Sequence, residues 1–169
     1  MAIIKYHDVG IRAISACVPR KVMYNKDLTY LISEDEIEKV IKNVGISERR
    51  YADKGVCSSD LCQKAAEKMF EDNSIDKEEI DALIFVSQTS DYHQPATAPL
   101  LQHKLGLSTN TLCFDVNLAC SGYVYGLSIA YAYASMQGVR KVLLLVGETI
   151  SKTVSQHDKV ATPLFGDAG

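Results

Sequence analysis

A chain of 169 residues that is 47% hydrophobic and 23% charged has a globular composition and the length for one sizeable core, so a single domain over residues 1–169 is expected. The formal net charge of −3, with basic residues scattered rather than clustered, argues against a nucleic-acid partner. Five cysteines, an odd number without paired spacing, fit a reduced compartment better than a disulfide framework, and no Cys/His grouping has metal-ligand spacing, so no metal is expected.

The opening Met1-Ala-Ile-Ile-Lys-Tyr-His-Asp meets polar and acidic residues too soon for a secretory signal, which predicts a cytoplasmic location. Val9–Ala16, with Val9, Ile11, Ala13 and Ile14 ahead of Pro19, reads as a first strand. A short helix is expected after Asn25. Ser33 with Glu36 three residues on has the form of a capping box, Ile37, Val40, Ile41 and Val44 continue at helical spacing, and Gly45 ends the helix. Ser47–Asp53, with Arg49-Arg50, reads as a solvated loop. Ser58-Ser59-Asp60 caps a second helix whose Leu61, Ala65, Ala66, Met69 and Phe70 form a core-facing stripe closed by Asp72-Asn73.

Asp76–Glu79 forms an acidic turn before Ala82–Ser87, an apolar run of the kind buried on both faces of a sheet. The polar stretch Gln88–Pro99 follows that strand directly, and post-strand loops in open α/β sheets line ligand crevices. His93 and Gln94 are therefore candidates for a pocket, set against the simpler reading of His93 as an exposed loop residue. Leu100–Leu105 reads as a short helix ended by Gly106, and Thr111–Val116 as the next strand. Val116–Val139 carries no formal charge. About 20 apolar residues would span a bilayer, but Asn117, Ser121, Gly122, Ser128, Ser135 and Gln137 dilute the run, so a helix buried within the protein is expected instead. Lys141–Val146 is a further buried-type strand reaching Gly147-Glu148-Thr149, and Ser151–Thr162 reads as a loop leading to Gly166-Asp167-Ala168-Gly169. The alternation of strand and helix implies a layered α/β domain with at least partly parallel pairing.

Within Leu112–Gln137, Cys120 stands where a long helix is expected to begin. Unpaired N–H groups and the positive end of the helix dipole there stabilise negative charge by roughly 0.3–1 kcal/mol when exposed and up to ~2 when partly buried. A thiolate is the nucleophilic form of cysteine, which makes Cys120 a candidate for covalent catalysis. Chance placement competes with this reading. Cys17 and Cys113 lie in or beside apolar runs, Cys57 and Cys62 flank a helix start, and buried inert cysteine is the usual state. A catalytic thiol needs a base, yet His7, His93, His103 and His157 each read as surface residues.

The run Asp115-Val116-Asn117-Leu118-Ala119-Cys120-Ser121-Gly122-Tyr123-Val124-Tyr125-Gly126-Leu127 resembles the active-cysteine segment of β-ketoacyl-acyl carrier protein synthase III, in the thiolase-fold superfamily. Further similarity follows in order along the chain: Gly45–Arg50 to the G-I-x-E-R segment, Leu83–Ser90 to the strand before the pocket loop, Val146-Gly147-Glu148 to a later strand end, and Phe165–Gly169 to the F-G-D-G-A-G turn. The resemblance implies a thiolase-like α/β fold in which a duplicated unit sandwiches buried helices between two sheets. This chain would be its first half, a mixed sheet with a buried nucleophile helix, with the C-terminal half absent and the chain alone inactive.

The implied chemistry is a decarboxylative Claisen condensation in fatty acid biosynthesis. An acyl primer, on coenzyme A or a carrier, loads onto Cys120, and malonyl-acyl carrier protein then supplies the attacking enolate. The Cys120 backbone N–H would form part of an oxyanion hole, worth ~3–4 kcal/mol of transition-state stabilisation. The histidine and asparagine that complete the family's site are expected beyond Gly169. The positions that grip the adenine end of coenzyme A fall at Lys39 and Asn43, and the loop position that closes the acyl pocket falls at Gln94, so Asn43 and Gln94 are the implied substrate-binding candidates. No cofactor and no membrane partner are implied. A homodimer is implied, with Leu112–Val116 strands pairing across its interface and the Asp91–Pro95 loop reaching the partner's pocket. A 3-hydroxy-3-methylglutaryl-CoA synthase-like or polyketide synthase-like enzyme, and a non-catalytic dimerising partner, are the alternatives.

Overall fold

The computed structural model describes residues 3–169; Met1 and Ala2, part of the terminus read above as lacking a signal, lie outside the described residues. At its centre is a three-stranded parallel sheet of β3 (Ile80–Val86), β4 (Leu112–Val116) and β5 (Lys141–Val146), ordered β4-β3-β5. In register, Val86 of β3 lies beside Val116 of β4 and Val146 of β5. The expected run at Ala82–Ser87 is this central strand, and every residue of it except Asp81 is buried.

Because side chains alternate across a strand, β3 feeds two cores. Leu83 and Phe85 pack with Leu143 and Leu145 against α2 (Ser58–Asn73) and α3 (Ala98–Leu105), through Cys62, Ala66, Phe70, Leu101 and Leu105. Ile84 and Val86 face the other way, with Phe114, Val116, Leu144 and Val146, toward Ala130 of α4 (Gly122–Ala134). The result is helices on both faces of a parallel sheet, the layered α/β arrangement expected.

A smaller antiparallel pair, β1 (Lys21–Tyr24) and β2 (Glu48–Tyr51), stands apart from this sheet. Between its strands run a 3₁₀ segment, Asn25–Tyr30, and α1 (Glu34–Val44), joined by a cluster of Leu28, Ile32 and Ile37. The Ser33 box forms as read. Glu36 Oε2 accepts from the Ser33 N–H at 3.1 Å and from its hydroxyl at 2.8 Å, which lowers the Glu36 carboxyl below its usual range. Gly45, at φ 80°, closes α1 in the left-handed conformation that glycine adopts without a steric penalty.

Several expectations are corrected. Ser47–Asp53 is not a solvated loop, because it contains β2 and Arg49 is buried. The Arg49 guanidinium is accommodated by donating from Nε to Asn25 Oδ1 at 2.7 Å and from Nη1 to the Tyr51 hydroxyl at 2.5 Å. Val9–Ala16 is not a strand. No described strand pairs with it, its Ile11 and Ile14 are 51% and 76% exposed, and Gly10–Ser15 instead flank a cavity of about 450 Å³ beside β5. Only at Cys17 does a reciprocal backbone pair form, with Gly169, at 2.8 and 2.9 Å.

The N-cap of α2 is Cys57 rather than the serines, with Asp60 accepting from the Cys57 N–H at 2.9 Å. The third helix begins at Ala98, earlier than Leu100, because the Asp115 carboxylate accepts from the Thr97 and Ala98 N–H groups at 2.7 Å each. The helix expected to begin at Cys120 begins at Gly122 and spans Gly122–Ala134, and it is covered on one face rather than enclosed. Among the described residues no helix is long and apolar enough to cross a membrane.

A Cβ at Gly126 would lie 2.8 Å from Val86 Cγ2 and 3.0 Å from Leu144 Cδ1. Overpacking costs about 1–3 kcal/mol, against a gain of at most about 1 kcal/mol in helix propensity. Gly126→Ala should therefore lower stability in urea unfolding by about 1 kcal/mol. At the opposite end of β3, Arg140 clamps Asp81 with contacts of 2.8 and 3.2 Å, and its hydrogen bonds hold the Asp81 carboxyl down at about 2. An aspartate titrates near 3.9 when unfolded. The clamp's contribution is therefore complete above that pH and is lost as pH falls toward about 2. Asp81→Asn should flatten the acid limb of the stability curve in that window, as followed by circular dichroism.

Candidate active site around Cys120

Parallel strands end together, and here the ends of β3, β4 and β5 project three loops from one edge of the sheet, the side on which open α/β sheets bind ligands. The ladder continues one step past the strands: Ser87 N–H donates to the Val116 carbonyl at 3.2 Å, and Gly147 N–H to the Val86 carbonyl at 3.1 Å. From Val116 the chain passes through Asn117 and Leu118 into a turn at Ala119–Ser121, which holds Cys120 and leads into α4. Gly122 N–H closes this turn on the Ala119 carbonyl at 2.9 Å.

Cys120 is thus two residues ahead of the first helical residue, not at it. It is a free, exposed thiol, and its backbone N–H donates to no acceptor among the described residues. The turn sits on the sheet through two glycines. A Cβ on Gly122 would approach Val86 Cγ1 to 2.7 Å and one on Gly126 would approach Val86 Cγ2 to 2.8 Å, so only glycine lets α4 lie this close to β3.

Three of the other four thiols differ in kind. Burial pushes Cys62 up to about 12 and half-buried Cys113 up to about 11. Cys57 is raised as well, by burial first and then by the nearby Asp91 and Asp60 carboxylates. None of the four histidines reaches Cys120 with a hydrogen bond, and all four are exposed, as expected of surface residues.

The remaining candidates are placed separately. Asn43 is exposed in the last turn of α1, as is Lys39 one turn earlier, on the β1–β2 side of the molecule. Gln94 is exposed in the loop after β3 and is joined to Pro95 by a cis peptide bond. The large cavity is lined by Tyr123, Leu127 and residues of α2 and β5, and by none of Cys120, Asn43 and Gln94. The structure therefore does not bring those three into one pocket within this chain.

Four polar residues that sequence reasoning did not single out organise the loops. Glu148 accepts from the Gln88 N–H at 2.8 Å, the Thr89 N–H at 3.0 Å and the Thr89 hydroxyl at 2.5 Å. Asp91 accepts from the Ser59 hydroxyl at 2.5 Å, fastening the same loop to α2. Asp167 takes the Ala52 N–H, the Ser151 N–H and the Ser151 hydroxyl at 2.7, 2.9 and 2.6 Å. Asn25 donates to the carbonyls of Ile46 and Pro163. The advance signals were positional only: Glu148 at a strand end, Asp167 in the terminal glycine-rich turn, Asp91 at the head of the implied pocket loop and Asn25 before the expected short helix.

The fold and this arrangement of strand ends define a thiolase-like α/β unit. A family model for 3-oxoacyl-[acyl-carrier-protein] synthase III matches residues 114–169. The β-ketoacyl-[acyl-carrier-protein] synthase III of Aliarcobacter butzleri is 42% identical over 160 residues, covering 94% of this chain and 47% of that protein. A putative 3-oxoacyl-[acyl-carrier-protein] synthase 3 of Campylobacter jejuni is 35% identical, with 96% and 47% covered. Among solved structures, 3-oxoacyl-(acyl-carrier protein) synthase from Burkholderia xenovorans superposes with a TM-score of 0.87 at 40% identity, covering 92% of this chain and 46% of that one. The chain is β-ketoacyl-acyl carrier protein synthase III-like, matching the N-terminal half of such proteins, and it spans about half the length of the relatives it matches.

The contrast among thiols is directly measurable. With limiting iodoacetamide at pH 8, peptide mass spectrometry should find Cys120 labelled first and Cys62 last. Labelling of Cys62 ahead of Cys120 would contradict the placement of both.

Proposed function

We propose that this chain is the N-terminal half of a condensing enzyme of the synthase III type in fatty acid biosynthesis, with Cys120 as the acyl-accepting nucleophile. The observation that supports this best is the exposed thiol with an unengaged backbone N–H, held where the sheet's strands end, in a chain that resembles synthase III throughout. In the first stage the Cys120 thiolate attacks the thioester carbonyl of an acyl primer. The new S–C bond forms as the primer's carrier thiol leaves. In the second, malonyl-acyl carrier protein loses carbon dioxide, and the resulting enolate attacks the acyl-cysteine carbonyl, forming the C–C bond and expelling the Cys120 thiolate. The Cys120 N–H stabilises the oxyanion in both stages.

On this reading the histidine and asparagine that complete the chemistry come from a C-terminal half, and the chain by itself is inactive. What supports a missing half is the outer side of α4, where Tyr123, Val124 and Tyr125 are 49%, 66% and 58% exposed. Asn43 and Gln94 are assigned to substrate binding, on the coenzyme A side and at the acyl pocket respectively. The assembly is a homodimer joined through β4, whose outer edge has no strand partner among the described residues. The location is cytoplasmic, in keeping with five free cysteines, one of them exposed.

The test is acyl loading. Acyl-CoA and acyl-carrier primers, offered to the enzyme assembled with its C-terminal half, should add the acyl mass to the peptide containing Cys120. Cys120→Ala should abolish the adduct and lower condensation by roughly 10³-fold or more. If no acyl donor of either kind leaves an adduct at Cys120, the nucleophile role is refuted.

A further inference from the structure

Among the described residues the only side-chain hydrogen bond within the Cys120 turn is a long one, from the Ser121 hydroxyl to the Leu118 carbonyl at 3.5 Å, so the turn's position depends chiefly on what supports it from beneath. Two supports are visible, and both lead to the end of β3. The strand that delivers the turn, β4, is held at its last residue by the Ser87 N–H on the Val116 carbonyl. The helix that leaves the turn rests on the Val86 side chain through Gly122 and Gly126. Val86 and Ser87 are therefore the platform on which the nucleophile stands.

That platform is fixed from the neighbouring strand by a single carboxylate. Glu148 lies just past β5, anchored by reciprocal backbone bonds with Ala168 at 2.9 and 3.1 Å. Its side chain reaches across to β3. Oε1 accepts from Gln88 N–H, while Oε2 accepts from Thr89 N–H, from the Thr89 hydroxyl and, at 3.3 Å, from the Ser87 hydroxyl. Thr89 Oγ1 in turn accepts from Thr149 N–H at 2.8 Å, closing the contact from both sides. Both carboxylate oxygens are used, and charge-assisted bonds of this kind are about twice as strong as neutral ones.

We propose that Glu148 is a positioning residue for the Cys120 turn, acting through Ser87–Thr89 and Val86 at the end of β3. The catalytic part of this inference rests on the reading of Cys120 as nucleophile; the mechanical part does not. An amide at position 148 keeps the volume but offers one acceptor oxygen and turns an N–H₂ group toward a backbone N–H donor, so Glu148→Gln breaks one side of the contact. Thr89→Val removes the hydroxyl bridge without touching the carboxylate.

Amide hydrogen exchange on the 169-residue chain tests the coupling. In Glu148→Gln, exchange should accelerate at residues 88–89 and also at Gly122 and Tyr125, whose N–H groups close the Cys120 turn on the Ala119 and Ser121 carbonyls, by about tenfold or more, with α1 unchanged. Thr89→Val should move the same two segments by less. Acceleration confined to 88–89 in both variants would overturn the proposal. In the assembled enzyme, Glu148→Gln should reduce the rate of Cys120 acylation by roughly tenfold to a hundredfold with KM for the primer within about twofold, as misplacement of a nucleophile predicts. Unchanged acylation, or a rise in KM alone, would also overturn it. Should the unmodified enzyme fail to load at Cys120, the nucleophile reading falls, while the exchange result still decides whether Glu148 holds the turn.

Discussion

The structure depends on burying one strand completely. With both faces of β3 apolar and enclosed, helices must cover the sheet on each side, and the strands that flank β3 must run parallel to it so that their crossover helices can do so. Parallel strands end at the same edge of a sheet. The loops after β3, β4 and β5 are consequently gathered at one place, and a nucleophile on any of them is close to the others without further design. Burial of about 1.5–3 kcal/mol per large apolar side chain is the driving term. The position of the thiol is a geometric consequence of it.

The same constraint explains the composition of α4. Its sheet-facing positions are Gly122, Gly126 and Ala130, at intervals of four, because the helix lies against Val86 and Leu144 too closely for larger residues. Two glycines in a helix of 13 residues weaken it by roughly 1 kcal/mol each relative to alanine. Contact with the sheet offsets that loss, so α4 is a helix by virtue of where it lies more than by intrinsic preference.

This division between local and distant causes also governs what could be read in the sequence. The β3 run, the Ser33 box and the Gly45 and Gly106 stops are decided within a few residues, and each was legible. Arg49-Arg50 was not, since two adjacent arginines have the local character of a solvated loop, and the burial of Arg49 depends on Asn25, 24 residues earlier, together with the Tyr51 hydroxyl. Val9–Ala16 failed for the converse reason. Its alternation suits a strand, but a strand also requires a hydrogen-bonding neighbour, which no local pattern supplies. At the candidate site, Cys120 was visible through residue type and resemblance. Glu148 was not, because its partners at Gln88 and Thr89 are mostly backbone N–H groups 59 and 60 residues away.

One property of α4 satisfies neither burial nor solvation within this chain. Its outward residues Tyr123, Val124 and Tyr125 are apolar or aromatic and follow the nucleophile directly, with Leu118 exposed just before it. A helix meant to face water carries charge on that side, and this one carries none from Gly122 to Ala134. Contiguous exposed apolar surface of this kind marks a contact to be made. Here the contact would close over the turn that holds Cys120, excluding water from the place where, on the proposed reading, negative charge would develop. Such exclusion strengthens what a single backbone N–H can do for an oxyanion. On the proposed reading of Cys120, the apolar outer face of α4 would then serve the chemistry as much as the thiol does, because covering it would supply the water-free surroundings that an exposed thiol lacks.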